Sequence, residues 1–310
     1  MNSSYQTLQF RSAAEFLAAV RRSHPRWLPR DASLVHWVFR GHSSSDWTLT
    51  PSAWRPVVRD DTHYKEVLGS IEYTDISEII ELNRQFMGGE SPDAERFKHQ
   101  VAQRRFEYLQ VRAFMDLADE LAFEVPGGFL PDKISRLLQD TTKENESLHA
   151  GYALAQHHGT PTRLLDWSQN PLIATFFAAE KPADAHGEIA VWALHPLGLF
   201  ETEWQDYRVP RSAIGFVHAQ AGLFTYHRTA DTHFVIKGRW PVLEDDCDPD
   251  FLKKLILPSS EAPELRRLLF AEGISRAHLM PTLDNISATL RAHWRDRDVT
   301  APIDAGSTSK

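Results

Sequence analysis

Four short stretches of this chain carry residues able to do chemistry. The first is Phe39-Arg40-Gly41-His42. Arg40 closes a β-rich run, so rigid backbone would carry a guanidinium whose fixed fork of donors suits phosphate oxygens. Gly41 beside it lets backbone approach a ligand closely. The plainer alternative is a structural arginine paired with an internal acid such as Asp166. The second stretch is His157-His158-Gly159. Either one histidine faces a ligand or acts as a general base, or the pair caps the C-terminus of a helix. Adjacent histidines point in different directions on a helix and lack the i, i+4 spacing of a metalloprotease site, so no metal is expected. The third runs from Thr162 through Arg163, Asp166 and Ser168. Asp166 sits between apolar neighbours, and burying it unpaired would be costly, so Arg163 or Arg40 is the expected partner. Ser168 contacts a ligand or simply starts a helix. The fourth is Gln220, a strand-end amide or a site residue.

The elements that must hold these groups can be read from periodicity and caps. Ser12 and Glu15 have capping-box spacing ahead of Phe16, Leu17 and Val20, which predicts a first helix that stops at Pro25. Leu34 to Phe39 predicts a strand, followed by a turn through His42 to Asp46. Residues from about 62 to 149 look helical and charged, with Ser91-Pro92 and the Thr141/Glu144 pair as helix starts and a loop at glycines 127 and 128. The row Arg96, Lys98, His99, Arg104, Arg105 and Arg112 predicts a solvated face, with nucleic-acid phosphates as a second reading. A helix ends near His158 at Gly159, and Asn170-Pro171 starts another as cap and first-turn proline. Glu188 to Leu194 is apolar on both faces, as in a central strand. Further strands are expected at Leu223–Arg228, His233–Lys237 and Lys254–Leu257, and helices at about 261–272 and 283–295. Trp47, Trp54 and Trp167 read as core.

Bulk properties narrow the class. The chain has 310 residues, 42% hydrophobic and 25% charged, an ordinary globular mix long enough to bury a core without staples. One cysteine, Cys247, excludes an intramolecular disulfide and fits a reducing compartment. It lies in an acidic, surface-like run that should raise its pKa. The formal net charge of −8 argues against non-specific nucleic-acid binding by the whole surface. No membrane span and no signal peptide are expected, and the location expected is cytoplasmic. The motifs of P-loop, Rossmann and α/β-hydrolase sites are absent.

Three blocks carry a family resemblance. They are Val38 to His42 with Trp47 and Pro51-Ser52; Gln156 to Pro171 running into Phe177-Ala178-Ala179; and Ala219 to Thr225. Together they resemble the signature of the FRG domain family, named for Phe-Arg-Gly. A weaker piece from Gly273 to Asp284 resembles the family's C-terminal segment. The resemblance implies a single domain over 1–297, with its core in 30–60 and 150–295, a helical insertion at about 62–149, and a disordered tail at 298–310.

A more remote similarity is to ADP-ribosyltransferases of the Arg-Ser-Glu type. In these a strand ending in aromatic-Arg-Gly is followed by a Ser/Thr-rich strand running into an apolar helix, then by a strand carrying Glu or Gln-x-Glu. Arg40, the segment Thr162 to Ser168, and Gln220 fall in that order. The similarity implies an α+β fold with a bent or split, mostly antiparallel sheet, and NAD as substrate with no metal. Arg40 would take the pyrophosphate, and Asp166 or Gln220 would act at the ribose, where an oxocarbenium-like state forms. His157 or His158 would assist proton movement. Gly41, His42, Thr162, Arg163 and Ser168 would help to bind NAD. This chain has Gly222 where the pattern has Glu, which makes Asp166 the replacement acid and Glu188 a second candidate. The acceptor would be RNA, DNA or a protein. Family association adds a toxin-like role in bacterial or phage conflict, with a neutralising antitoxin protein as partner. Two other functions stand beside it: a non-catalytic ligand- or partner-binding module, and an NAD glycohydrolase.

Overall fold

A computed structural model describes residues 5–28, 36–72, 93–125, 150–208 and 222–296. Its strands are β1 (Gln6–Gln9), β2 (Val38–His42), β3 (Leu165–Ser168), β4 (Glu188–Leu194), β5 (Trp204–Tyr207), β6 (Gly222–His227) and β7 (Leu252–Pro258). They form one open sheet in the order β1-β7-β4-β2-β3-β6-β5. The β1–β7 pairing is parallel and the others are antiparallel. The main helices are α1 (Ala13–Val20), α2 (Thr62–Gly69), α3 (Ala94–Glu120), α4 (Ala150–His157), α5 (Pro171–Glu180), α6 (Ala230–Lys237), α7 (Ala262–Ala271) and α8 (Leu283–Arg295). The class is mixed α+β, as expected. The sheet is continuous rather than split in two, but it thins to a single residue pair between β2 and β3. Among the described residues no helix is long and apolar enough to cross a membrane.

Local chemistry sets these elements. The Ser12 side chain accepts the Glu15 amide at 3.3 Å and starts α1. Asn170 accepts the Leu172 amide at 3.0 Å, and Pro171 fills the first position of α5. Gly159 and Gly273 adopt φ of +92° and +77° after α4 and α7, where a side chain would be strained. β4 is buried on both faces, with Val191 and Ala193 on one side and Trp192 and Leu194 on the other. The first side packs against Phe16, Ile173, Ala174 and Leu265 of α1, α5 and α7. The second packs against Leu49, Trp54, Trp204, Phe234 and Trp240. α2 and α3 form a further cluster through Tyr64, Phe97 and Phe106, which Val235 of α6 joins. Each large side chain buried this fully contributes roughly 1.5–3 kcal/mol.

Several expectations are corrected. The chain's first described element is strand β1, not α1; with four mostly exposed residues it has no alternating pattern to read. β5 escaped notice for the same reason. Residues 233–237 are helical, inside α6. Their aromatic and β-branched run mimics a strand, but Phe234 and Val235 pack on a helix face, and Gly238 at φ +71° caps it. β2 runs one residue beyond the expected end at Arg40-Gly41 and takes in His42, which was expected in the turn. The charged row on α3 is not all solvated, because Arg104 is buried against Asp231. Trp47 is exposed while Trp54 and Trp167 are core. Cys247 is buried, not on the surface; burial, with Asp248 and Asp246 nearby, pushes its thiol up to about 12. The starts at Ser91-Pro92 and Thr141, the loop at 127–128 and the tail at 298–310 lie outside the described residues; Asp93 caps α3.

Gly41 fixes how closely α5 can approach β2. A Cβ there would stand 2.0 Å from the Ala174 carbonyl oxygen and 2.7 Å from the Ala178 amide nitrogen. Those are backbone atoms of a helix and cannot swing aside. The glycine therefore makes room for α5. Gly41→Ala is expected to destabilise the fold by at least the roughly 1–3 kcal/mol of an overpacked core. Chemical denaturation checks this, and an unchanged midpoint would count against the close packing of α5 on β2.

Candidate active site

The β2–β4 ladder runs over five residue pairs, from Val38↔Leu194 to His42↔Ala190. On its other side β2 pairs with β3 only at Phe39↔Ser168. Beyond that pair the strands part, and a cleft of about 270 Å³ opens beside them. Arg40, Gly41, His157, Asp166 and Ser168 line it, with apolar walls from Phe39, Trp167, Phe177 and Leu223.

Arg40 bridges the parting strands. Its Nη1 donates to the Asp166 carbonyl oxygen at 2.8 Å and also to the Asp166 carboxylate. The side chain thus satisfies a backbone acceptor that a longer ladder would have engaged. Its Nε donates to His42 Nε2 at 3.0 Å. His42 must keep that nitrogen unprotonated. Burial first, then the charges of Arg40 and Arg55, hold its pKa well below the usual histidine value.

Asp166 is held from a second side. Gln156 Nε2 donates to its Oδ1 at 3.1 Å and to the Leu164 carbonyl at 3.0 Å. Thr162 donates its hydroxyl to Gln156 Oε1, which fixes the orientation of the amide. Thr162 is in turn tied to Ser52, whose Oγ accepts the Thr162 amide at 3.1 Å. Desolvation in the cleft disfavours the ionised carboxyl. The Arg40 charge and the hydrogen bonds from Arg40 and Gln156 outweigh it and hold Asp166 below the ordinary aspartate value. His157 is pushed down to about 4, by burial and then by His158. At neutral pH the cleft therefore offers a carboxylate, a guanidinium and a neutral imidazole.

Most of the other residues singled out from the sequence lie away from the cleft lining. Ser168 lines the cleft and also accepts the Asn170 amide at 3.0 Å, so it serves the helix start as well. His42 and Thr162 stand behind the cleft as supports. His158 stacks on Phe114 with ring centroids 5.9 Å apart. Glu188 accepts the Ser45 hydroxyl at 3.1 Å, away from the lining residues. Gln220 lies outside the described residues; Gly222, two positions on, lines the cleft.

Arg163 does not reach the cleft. Its Nε donates to Glu107 at 2.7 Å and its Nη1 to Asp231 at 3.3 Å, and Arg104 approaches Asp231 at 3.5 Å. All four side chains are buried. Glu107 also accepts from Trp54 Nε1 at 3.2 Å and from Gln103 at 3.0 Å. This network ties α3 and α6 to the segment entering β3. Among the described residues no group of three or more His, Cys, Asp or Glu side chains is placed to hold a metal ion. One lining residue had no warning in the sequence: Arg55, in the loop after Pro51-Ser52, where no periodicity marks a buried side.

These features describe an α+β protein whose open sheet thins to a ligand-sized cleft at an Arg-Asp pair. The FRG domain family model matches residues 35–187, a span that holds Arg40, Gln156, His157, Asp166 and Ser168. Over that span the chain carries an FRG domain. No curated protein and no solved structure matches it.

Arg163→Met leaves Asp231 and Glu107 buried with a partner missing, and the expected cost is about 3–5 kcal/mol in denaturant unfolding. A loss below about 1 kcal/mol would show that the network is not what anchors α3. The His157 shift gives a pH signature. Its folded pKa of about 4 lies below the 6.5 of a free histidine, so the folded state binds fewer protons. The stability it contributes is present above pH 6.5 and is lost as pH falls from there towards 4. An NMR titration of the His157 ring should show no inflection near 6.5. An inflection there would mean that the ring is solvated.

Proposed function

We propose that this chain is an ADP-ribosyltransferase-like enzyme that uses NAD at the Arg40–Asp166 cleft to modify a nucleic acid or a protein. The observation that carries the reading is convergence. Arg40, from one strand, and His157, Asp166 and Ser168, from more than a hundred residues later, line one open cleft. Its volume of about 270 Å³ falls just below the roughly 300–1,000 Å³ of typical ligand sites. It would enclose part of a dinucleotide, with the remainder outside.

In this reading Arg40 takes pyrophosphate oxygens. The bond between the nicotinamide nitrogen and ribose C1′ breaks, and the electron pair leaves with nicotinamide. The Asp166 carboxylate, already ionised, stabilises the positive charge that develops at C1′. Gln220, close in sequence to the lining residue Gly222, is the second candidate for contact with the ribose. The acceptor's lone pair then closes on C1′, and its proton passes to neutral His157 or to Asp166. A toxin-like role held in check by an antitoxin protein belongs to the same proposal.

Two observations favour the second reading, a non-catalytic binding module. Arg40 and Asp166 already satisfy each other, and the strand after Gln220 carries Gly222 where a glutamate would act. Titration with NAD, followed by assay of free nicotinamide and of label transferred from adenine-labelled NAD, separates the readings. The enzyme reading expects nicotinamide release and labelled macromolecule. Arg40→Ala and Asp166→Asn are expected to lower turnover roughly a hundred-fold or more while far-UV circular dichroism is kept. Binding without turnover supports the module. Turnover that yields free ADP-ribose and labels nothing supports a glycohydrolase. Full turnover in both variants would end the proposal for this cleft.

A further inference from the structure

Arg40 is not the only guanidinium in the cleft. Arg55 lines the same cavity, beside Ser52 and Gln156. The two arginines differ in how they are satisfied. Arg40 is engaged by Asp166 and His42. Arg55 makes no ion pair with any described acid. Its Nε reaches the Thr50 carbonyl at a long 3.4 Å, and its guanidinium lies 5.9 Å from the Trp47 ring centroid. Desolvation, and then the charge of Arg40, both work against the cation at Arg55, while Asp166 favours it. The lining side chains thus bring two positive charges against one carboxylate, with His157 neutral. Among the described lining residues one positive charge is left over, in a chain whose formal net charge is −8. A half-buried, locally positive cavity takes an anion, and two guanidinium forks suit a ligand with several charged oxygens.

We propose that Arg55 is the second phosphate-binding residue of this cleft and grips a diphosphate together with Arg40. The inference rests on the cleft being a site for a phosphate-bearing ligand, and it deepens the NAD reading by assigning which side chains take the charge. An arriving diphosphate relieves the repulsion between the two guanidinium groups, which Asp166 alone leaves uncompensated. It also competes with Asp166 for Arg40, while Gln156 still holds the carboxylate.

The test is calorimetric binding of inorganic pyrophosphate and of ADP, with adenosine as the uncharged comparison, to the full chain. Arg55→Ala and the bulkier Arg55→Gln are each expected to weaken pyrophosphate and ADP by roughly ten-fold or more, with Arg55→Lys recovering part of the loss. Weak binding of adenosine should not change. Arg228→Ala, which removes an exposed arginine paired with Glu203 and outside the cleft, should bind pyrophosphate like the parent chain. Pyrophosphate binding that ignores both Arg55 variants overturns the inference, as does an equal loss for adenosine, which would mark a packing role. The outcomes separate this claim from the enzyme reading. Arg55-dependent pyrophosphate binding without nicotinamide release upholds the clamp and removes the enzyme. NAD cleavage indifferent to Arg55 does the reverse. A parent chain that binds neither pyrophosphate nor ADP overturns the clamp.

Discussion

The arrangement depends on one guanidinium spanning the place where two strands separate. β2 and β3 share a single residue pair, and Arg40 then supplies by side chain the donor that backbone no longer provides to the Asp166 carbonyl. The same guanidinium compensates the charge of Asp166 and keeps it ionised, and through Nε it fixes His42 as a neutral acceptor. Its structural pairing does not keep Arg40 out of the cleft lining. The residue that seals the gap is also the one that faces into it.

Behind this contact stand two supports of different kinds. The first is steric: Gly41 lets α5 lie directly on β2, so the wall formed by Ile173, Ala174 and Phe177 is set by backbone contact. The second is electrostatic. Glu107, Arg163, Asp231 and Arg104 are buried together and join α3 and α6 to the residues just before β3. Buried ion pairs often add little net stability over an apolar replacement, but they tolerate poorly the loss of one member. Such a network selects one docking of the helices over near alternatives. Through Thr162 and Gln156 that docking reaches the orientation of Asp166.

Much of this was legible in the sequence where the signal is local. Ser12 and Asn170 announce their helices through hydrogen bonds a few residues long. β4 announces itself because both of its faces are apolar. The pairing of Arg40 with Asp166 could be weighed in advance, since an acid among apolar neighbours needs a cation. The misses share a cause, which is that the deciding contact is distant in sequence. Arg163 was read as a ligand contact, but its partners Glu107 and Asp231 lie 56 and 68 residues away. Arg104 resembled its solvated neighbours on α3 until Asp231 packed against it. Gly41 was read as room for a ligand; it lines the cleft, but the contact with the α5 backbone was not foreseen. Arg55 had no periodic context at all, because a loop residue is oriented by what folds around it.

The strand order carries a consequence for how the molecule is made. β2 is flanked on either side by strands that leave the ribosome long after it, and the Arg40–Asp166 contact closes a span of 126 residues. Further lining residues arrive at Gly222 and finally at Met280. Topologies this non-local fold slowly, because chain entropy must be lost before distant pairings reward it. During synthesis the early strand emerges with neither neighbour available. The lining is complete only once the chain has been made through Met280, and a product terminated before Asp166 would carry Arg40 and Arg55 without the carboxylate beside them.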